Sequence, residues 1–207
     1  MKKFSIALIL ACFIFSANAQ NVTMESVCEQ LSQHTHTTGN FEQIKVIKKM
    51  KNRKIKSYGT FIFSTEGIYW NTKKPVASTM IINSSAMTQI SKGKETVTSI
   101  EGNDTFKNFK NSVDAFFAND LSNLKKNFKI DFKFAGGKWT ITLIPAGKKM
   151  SSKIKDIVMT GTSDGTTSEI SSVVISEVSG DSLTYNLSNL KYLKELSPDE
   201  KKLFISK

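Results

Sequence analysis

The chain has 207 residues, of which 39% are hydrophobic and 23% are charged. This composition is typical of a globular protein and excludes a disordered chain or a low-complexity fibre, and the length favours one domain. The 29 Lys and Arg residues outnumber the 18 Asp and Glu residues, which gives a formal net charge of +11. Two Cys and 2 His are too few for a framework of several disulfides and disfavour a zinc site of His and Cys ligands.

Residues 1–19 have the pattern of a cleaved signal peptide. Lys2 and Lys3 precede an apolar run that is too short to span a bilayer comfortably, and an A-x-A cleavage site ends at Ala19. We therefore expect export to the periplasm, followed by folding of residues 20–207 as a single mature domain.

Each of the two cysteines has an alternative interpretation. The segment that ends at Cys12 loosely resembles a lipoprotein box, which would attach a lipid to Cys12 itself. Removal of the signal peptide would leave Cys28 as a lone cysteine. Its place in a helical apolar stripe favours a small buried side chain over a redox role.

The apolar residues predict one helix, then strands, a second helix and more strands. Helical spacing predicts a helix from Thr23 to Gln33 and another from Ser112 to Lys126. Elsewhere apolar residues alternate with polar ones, most strictly from Phe128 to Leu143. Turn residues separate about eleven such strands, and Gly59 inside one of them predicts a bulge or bend.

Consecutive hairpins predict an antiparallel meander and therefore a mainly β fold. A sheet of this length must curl or close, so we expect an incomplete antiparallel β-barrel with large apolar residues on its inner surface. Two short helices are available to cover that surface. From the pattern alone, a hollow interior and an interior filled by its own side chains are equally compatible with the sequence.

Two motifs could carry chemistry but have simpler interpretations. The segment Gly161-Thr162-Ser163-Asp164-Gly165 matches the G-x-S-x-G pattern of serine hydrolases, but the strand predicted after it favours a hairpin turn. We interpret His34-Thr35-His36 as a solvated linker between the first helix and the first strand. The sequence contains no nucleotide-binding loop and no recognisable pair of catalytic carboxylates, so we predict no enzyme activity, cofactor or metal.

Basic residues are densest from Lys45 to Lys56. Such a run can bind nucleic acid, but export argues against a nucleic-acid partner. We expect an exposed hairpin that contacts an acidic protein or anionic lipid headgroups, with Lys48, Lys49 and Lys51 as the partner-binding residues. A solvated strand face whose lysines prevent edge-to-edge aggregation is the alternative.

Short segments between Gly39 and Phe204 share their order and spacing with one known family. They are Gly39-Asn40-Phe41-Glu42-Gln43, Gly59-Thr60-Phe61, Trp70 with Pro75, Met80-Ile81-Ile82, Leu143-Ile144-Pro145, the late hairpin from Val174 to Leu187, and Leu203-Phe204, at the family's last strand. In this order they resemble the periplasmic outer-membrane lipoprotein carriers of the LolA type.

The resemblance implies an incomplete barrel of about eleven strands around a hydrophobic cavity, with short helices as a lid. It also implies a carrier that takes the acyl chains of a lipoprotein or another lipid from an inner-membrane exporter to an outer-membrane acceptor; we expect a monomer. The residues predicted to line the cavity or the lid, each of which could equally be plain core, are Phe61, Phe63, Trp70, Met80, Phe116, Phe117, Phe132, Phe134, Trp139 and Ile141.

One departure from the family pattern leaves alternatives open. The family's Arg-Pro pair before the tryptophan is replaced by Ser64-Thr65-Glu66-Gly67, so an arginine-controlled lid is not implied for this chain. One alternative is a carrier for a glycolipid rather than a lipoprotein. Another is an envelope sensor or scaffold that uses the same half-barrel, with a filled interior, to bind a protein.

Overall fold

The computed structural model describes residues 22–99 and 120–205. The predicted signal peptide and the predicted lid residues Phe116 and Phe117 lie outside these ranges. Within them, no helix combines the length and the apolar character needed to cross a membrane.

The described residues form four short helices and eleven strands. The helices are α1 (Met24–Ser32), α2 (Leu121–Asn127), α3 (Lys148–Ser151) and α4 (Pro198–Lys202). The strands are β1 (His36–Ile47), β2 (Arg53–Ser64), β3 (Gly67–Lys74), β4 (Ser78–Ile82), β5 (Ala86–Ser91), β6 (Lys94–Ser99), β7 (Phe128–Ala135), β8 (Lys138–Pro145), β9 (Ile154–Ser163), β10 (Ser168–Glu177) and β11 (Ser182–Leu193).

These strands make one sheet in the order β6-β5-β4-β3-β2-β1-β11-β10-β9-β8-β7, and every pair of neighbours is antiparallel. β6 and β7 lie at opposite edges, so the sheet is not closed. The first and last strands meet in the middle, where β1 pairs with β11. The predicted mainly β fold, an incomplete antiparallel barrel of about eleven strands, is confirmed.

The inner face of this sheet collects most of the large apolar residues. Because directly opposite residues of neighbouring strands point to the same side, the strand register assigns Phe41, Phe61, Trp70, Trp139 and Ile141 to one face. Trp70 in β3 and Tyr185 in β11 are three strand spacings, or about 14 Å, apart in a flat sheet. Their ring centroids are 5.2 Å apart, as expected on the concave side of a curved sheet.

The C-terminal segment covers the outer face. Ile62 of β2 packs there against Leu196 and Phe204, and all three side chains are buried. The resemblance placed Leu203-Phe204 in a last strand, which is wrong. Ser197 caps α4 in a capping box with Glu200, and this start signal directs the chain into a helix and a turn instead.

The first predicted helix is confirmed as α1, with Thr23 as its N-cap in a capping box with Ser26. The second is corrected in its described part. The helix α2 begins after Asp120, whose carboxylate accepts a hydrogen bond from the backbone N–H of Asn123 at 3.0 Å. An N-cap residue has non-helical backbone angles, so the predicted continuous helix through Asp120 is wrong. Residues 112–119 of that prediction lie outside the described ranges.

Candidate binding face

α1 covers the half of the inner face that β7 to β10 form. Its apolar stripe belongs to a buried cluster with three of these strands and the preceding helix α2: Met24, Val27, Cys28, Leu31, Leu124, Phe128, Trp139, Ile141, Leu143 and Met159. Trp139 and Ile141 have no exposed surface, and the Trp139 ring N–H donates to the carbonyl of Thr162 at 3.0 Å. Among the described residues, this cluster contains none from β1 to β6. We call this part the covered half.

Gln30 joins α1 to the β9–β10 turn by two hydrogen bonds. Its side-chain amide donates to the carbonyl of Gly165 at 3.0 Å and accepts from the Ser168 hydroxyl at 2.6 Å. Because Ser168 is fully buried, its hydroxyl depends on Gln30 for a partner. These two bonds join the helix to the half of the sheet on which its apolar stripe packs.

The other half carries a layer of aromatic rings, which we call the aromatic floor: Phe41, Phe61, Phe63, Trp70 and Tyr185. Trp70 is its centre, with ring centroids 4.0 Å from Phe41, 5.6 Å from Phe61 and 5.2 Å from Tyr185. Phe41 and Phe61 are buried beneath their neighbours, whereas Phe63, Trp70 and Tyr185 keep part of their surface exposed. Met80 lies opposite Trp70 in the register and is also partly exposed, so it extends the floor onto β4.

Glycines let rings lie close against the sheet in both halves. A Cβ atom on Gly59 would stand 2.7 Å from the Phe41 ring, and one on Gly161 would stand 2.3 Å from the Trp139 ring. Both glycines lie next to shifts in strand register, so the bulge or bend predicted at Gly59 is confirmed. A ring that lies over a glycine can approach the sheet backbone closely. The aromatic floor is therefore a shallow surface, with its rings lying flat rather than standing out from the sheet.

The predicted site residues fall into both halves. Phe61, Phe63, Trp70 and Met80 come together in and beside the aromatic floor. In the covered half, Trp139 and Ile141 are sealed under α1, Phe132 packs against the same cluster, and Phe134 is 37% exposed near the end of edge strand β7. Sequence reasoning left out Phe41 and Tyr185. For Tyr185 the alternation with Leu183 and Leu187 in β11 was a usable signal. Phe41 is out of phase with Ile44 and Val46, so alternation in β1 did not indicate it.

Burial shifts the pKa values of three side chains on this face. Burial raises the pKa of Tyr185 and raises the pKa of Tyr192 to about 12, with the Glu169 charge as the smaller cause for Tyr192. Burial, followed by the charge of Glu25, raises the pKa of the Cys28 thiol to about 12. All three groups are neutral at ordinary pH, and loss of solvent moves their ionisation still further above it.

The structure decides between the two interpretations of the G-x-S-x-G segment. β9 ends at Ser163 and β10 begins at Ser168, and the Asp164 carboxylate accepts hydrogen bonds from the backbone N–H groups of Thr166 and Thr167. The hairpin-turn interpretation of the G-x-S-x-G segment is therefore confirmed. Within the described ranges, no group of three His, Cys, Asp or Glu residues is placed to hold a metal ion.

The solvated-linker interpretation is wrong for His36, whereas His34 and Thr35 do lie between α1 and β1. His36 begins β1 and its Nδ1 atom is buried without a hydrogen-bond partner. The His34 ring stacks on Tyr192 with centroids 3.6 Å apart, and burial lowers the pKa of His34. The sheet extends further toward α1 than the apolar alternation indicated, since Thr37 and Thr38 give no apolar period there.

Two grooves lie away from the predicted cavity residues. One, of about 380 Å³, lies between the ends of β3, β4 and β5 and includes Val76 and Lys92. The other, of about 610 Å³, lies beside α4 on the outer face and includes Lys191 and Leu196. Neither contains a residue of the aromatic floor, so the floor is not part of these two grooves.

The chain also matches the model of a known family. Residues 32–203 match the family described as outer membrane lipoprotein carrier protein LolA. The chain belongs to the LolA family. The match spans all eleven strands, from the last residue of α1 to the residue after α4.

Solved structures similar to this LolA-family chain share little sequence with it. A LolA superfamily protein from Nitrosomonas europaea is 10% identical, with 89% of this chain and 98% of that chain covered at a TM-score of 0.45. A putative outer membrane lipoprotein-sorting protein domain from Vibrio parahaemolyticus is 12% identical, with coverages of 87% and 98% and a TM-score of 0.47. The lipoprotein LppX from Mycobacterium tuberculosis is 10% identical, with coverages of 83% and 94% and a TM-score of 0.45. No curated protein matches the chain.

Proposed function

We propose that this LolA-family chain is a periplasmic carrier that binds the acyl chains of a lipoprotein or another lipid on its aromatic floor. It would receive its cargo from an inner-membrane exporter and deliver it to an outer-membrane acceptor. The observation that carries the proposal is the partial exposure of Phe63, Trp70 and Met80 on the inner face of a sheet whose other half is sealed by α1.

The chemistry of the floor suits a hydrocarbon chain. Aromatic and thioether side chains provide apolar contact without a hydrogen-bond requirement that an acyl chain would leave unmet. The rings lie low over the glycines, which leaves the volume above them for a ligand. The acyl chain would lie along the floor and replace the water that now contacts Trp70 and Met80.

The energetics favour reversible binding. Full burial of a sixteen-carbon chain is worth very roughly 10 kcal/mol, at about 0.8 kcal/mol per methylene. A chain on an open floor buries one side, so it recovers about half of that amount. A carrier needs such an intermediate value because it must extract a lipid from one membrane and release it at another.

The direct test measures uptake of a fluorescent fatty acid by the purified protein in solution without vesicles. Met80→Lys places a charge beside Trp70, where a bound chain would desolvate it, and we expect at least a tenfold loss of affinity. Val97→Lys is the matched control, because Val97 is 57% exposed and its register pairs it with Thr88, on the outer face.

Equal affinity in the two lysine variants would contradict the proposed site. Absence of uptake by the unmodified protein, together with absence of co-purified lipid in a solvent extract, would contradict the proposed function itself. Mass spectrometry of the same extract identifies the lipid class and separates a lipoprotein or fatty-acyl cargo from a glycolipid.

A further inference from the structure

One end of the sheet carries a concentration of lysines. The strands alternate in direction, so the turns β1–β2, β3–β4, β5–β6, β8–β9 and β10–β11 all lie at the same end. We call this end the basic rim. Its central turn, at residues 48–52, contains Lys48, Lys49 and Lys51, all exposed.

The neighbouring turns add to the same charge. The β3–β4 turn begins after Lys73 and Lys74, and the β8–β9 connection contributes Lys148 and Lys153, all exposed. In these turns the acidic residue is Asp181, and its carboxylate accepts a hydrogen bond from the backbone N–H of Lys48 at 2.9 Å. The backbone N–H of Val178 donates to the carbonyl of Lys153 at 2.9 Å. These bonds join three turns into one continuous surface.

The opposite end of the sheet has no such excess. Its turns contain Glu66, Asp164 and Glu195 against Lys194, and Lys138 and Lys191 lie in the strand ends beside them. The molecule is therefore polarised along its strands, with the positive charge gathered at the basic rim. Such a field orients a protein toward an anionic surface before contact.

Apolar side chains project among the rim lysines. Val76, Met50 and Val178 are 51%, 48% and 58% exposed, and they lie on three successive hairpin turns along the rim. Successive hairpins are about 10 Å apart, so these side chains form a row of separate points rather than one contiguous patch. A protein interface needs a closely packed apolar core, whereas a lipid surface accepts isolated apolar tips between cationic anchors.

We propose that the basic rim docks on an anionic membrane surface, with the lysines at the headgroups and Met50, Val76 and Val178 inserted at the acyl boundary. This inference goes beyond the proposed carriage of acyl chains and does not depend on the aromatic floor. It places the strand axes roughly perpendicular to the membrane plane, with the opposite end of the sheet directed away from the membrane.

The test is co-sedimentation of the purified protein with phosphatidylcholine vesicles that contain or lack phosphatidylglycerol. We expect binding to the anionic vesicles, weakened by salt. Substitution of Lys48, Lys49 and Lys51 by Gln should weaken binding on the order of a hundredfold. The matched control replaces Lys138, Lys191 and Lys194 by Gln, which removes the same charge from the opposite end and should change affinity less than about threefold because distant charges are screened.

A second variant tests the apolar tips. Met50→Ser with Val178→Ser keeps every charge, and we expect several-fold weaker binding that high salt abolishes completely. Absence of binding to anionic vesicles, equal binding to neutral vesicles, or equal losses in the two lysine variants would overturn the proposal. Binding to polyglutamate but not to vesicles would assign the rim to an acidic protein and would also overturn it.

The vesicle result is separable from the carrier function. Met80→Lys lies on the aromatic floor and should leave vesicle binding unchanged while it lowers fatty-acid uptake. The lysine variants of the rim should do the reverse in solution without vesicles. Vesicle binding therefore tests the docking proposal alone, and fatty-acid uptake tests the carrier proposal alone.

Discussion

The two halves of the inner face share a construction but differ in their cover. In each half an aromatic ring crosses a glycine beside a shift in strand register, Trp139 over Gly161 and Phe41 over Gly59. α1 removes Trp139 from solvent completely, whereas Trp70, stacked on Phe41, stays partly exposed.

The difference shows that cover decides the role of an apolar surface. Where α1 packs on the sheet, burial of apolar area stabilises the fold. On the aromatic floor, part of the same kind of area remains available to a ligand. The variants below test whether one half contributes mainly to stability and the other mainly to binding.

The largest expected effect is the contrast between the two tryptophans. Trp139→Ala removes a fully buried ring and its hydrogen bond to Thr162, and we expect a loss of about 3–5 kcal/mol in the free energy of unfolding. Trp70→Ala should cost about 1–2 kcal/mol, because part of its surface already contacts water. Urea denaturation measures both losses, and equal losses would show that the floor is ordinary core.

A smaller loss is expected from a methyl group on the floor's central glycine. In Gly59→Ala the new Cβ would stand 1.9 Å from the carbonyl oxygen of Asn71, a backbone atom that cannot move cheaply. We expect a loss of about 2–3 kcal/mol, measured by thermal unfolding. Gly147→Ala is the control, because nothing lies within 4 Å of its added Cβ. Its stability should change by less than about 0.5 kcal/mol, and an equal change in both variants would refute the close approach.

The smallest effect is a pH dependence in the covered half. Burial raises the pKa of Cys28 from its ordinary value of 9.0 to about 12, so the folded state keeps its proton after the unfolded state has lost it. This contribution to stability is complete below pH 9 and declines as pH rises toward 12. By pH 10 it should have fallen by about 1 kcal/mol.

Cys28→Ala supplies the comparison for that pH dependence. Urea denaturation at pH 8 and at pH 10 should show a larger loss of stability in the unmodified protein than in the variant, since other titrating groups are common to both. Identical losses would mean that burial on the apolar face of α1 does not raise the pKa of the Cys28 thiol.

Much of the site could be predicted from side-chain alternation. Phe61, Phe63 and Trp70 were placed on one surface because alternate residues of a strand share a face. Phe41 and Tyr185 were missed because β1 and β11 meet only through a pairing of the two ends of the chain. The boundary at Asp120 was missed because apolar spacing continues through a residue whose side chain caps a new helix.

Local patterns were sufficient for the eleven strands, the turns between them and the helix α1, since alternation, turn residues and capping act over a few neighbouring positions. The tertiary structure decided whether each apolar residue is buried or stays partly exposed. Trp139 and Trp70 have similar strand contexts, and the packing of α1, together with the hydrogen bonds between Gln30 and the residues Gly165 and Ser168, determines which of the two lies under α1. A contact between residues more than a hundred positions apart has no local signature, because chain topology and not side-chain period brings them together.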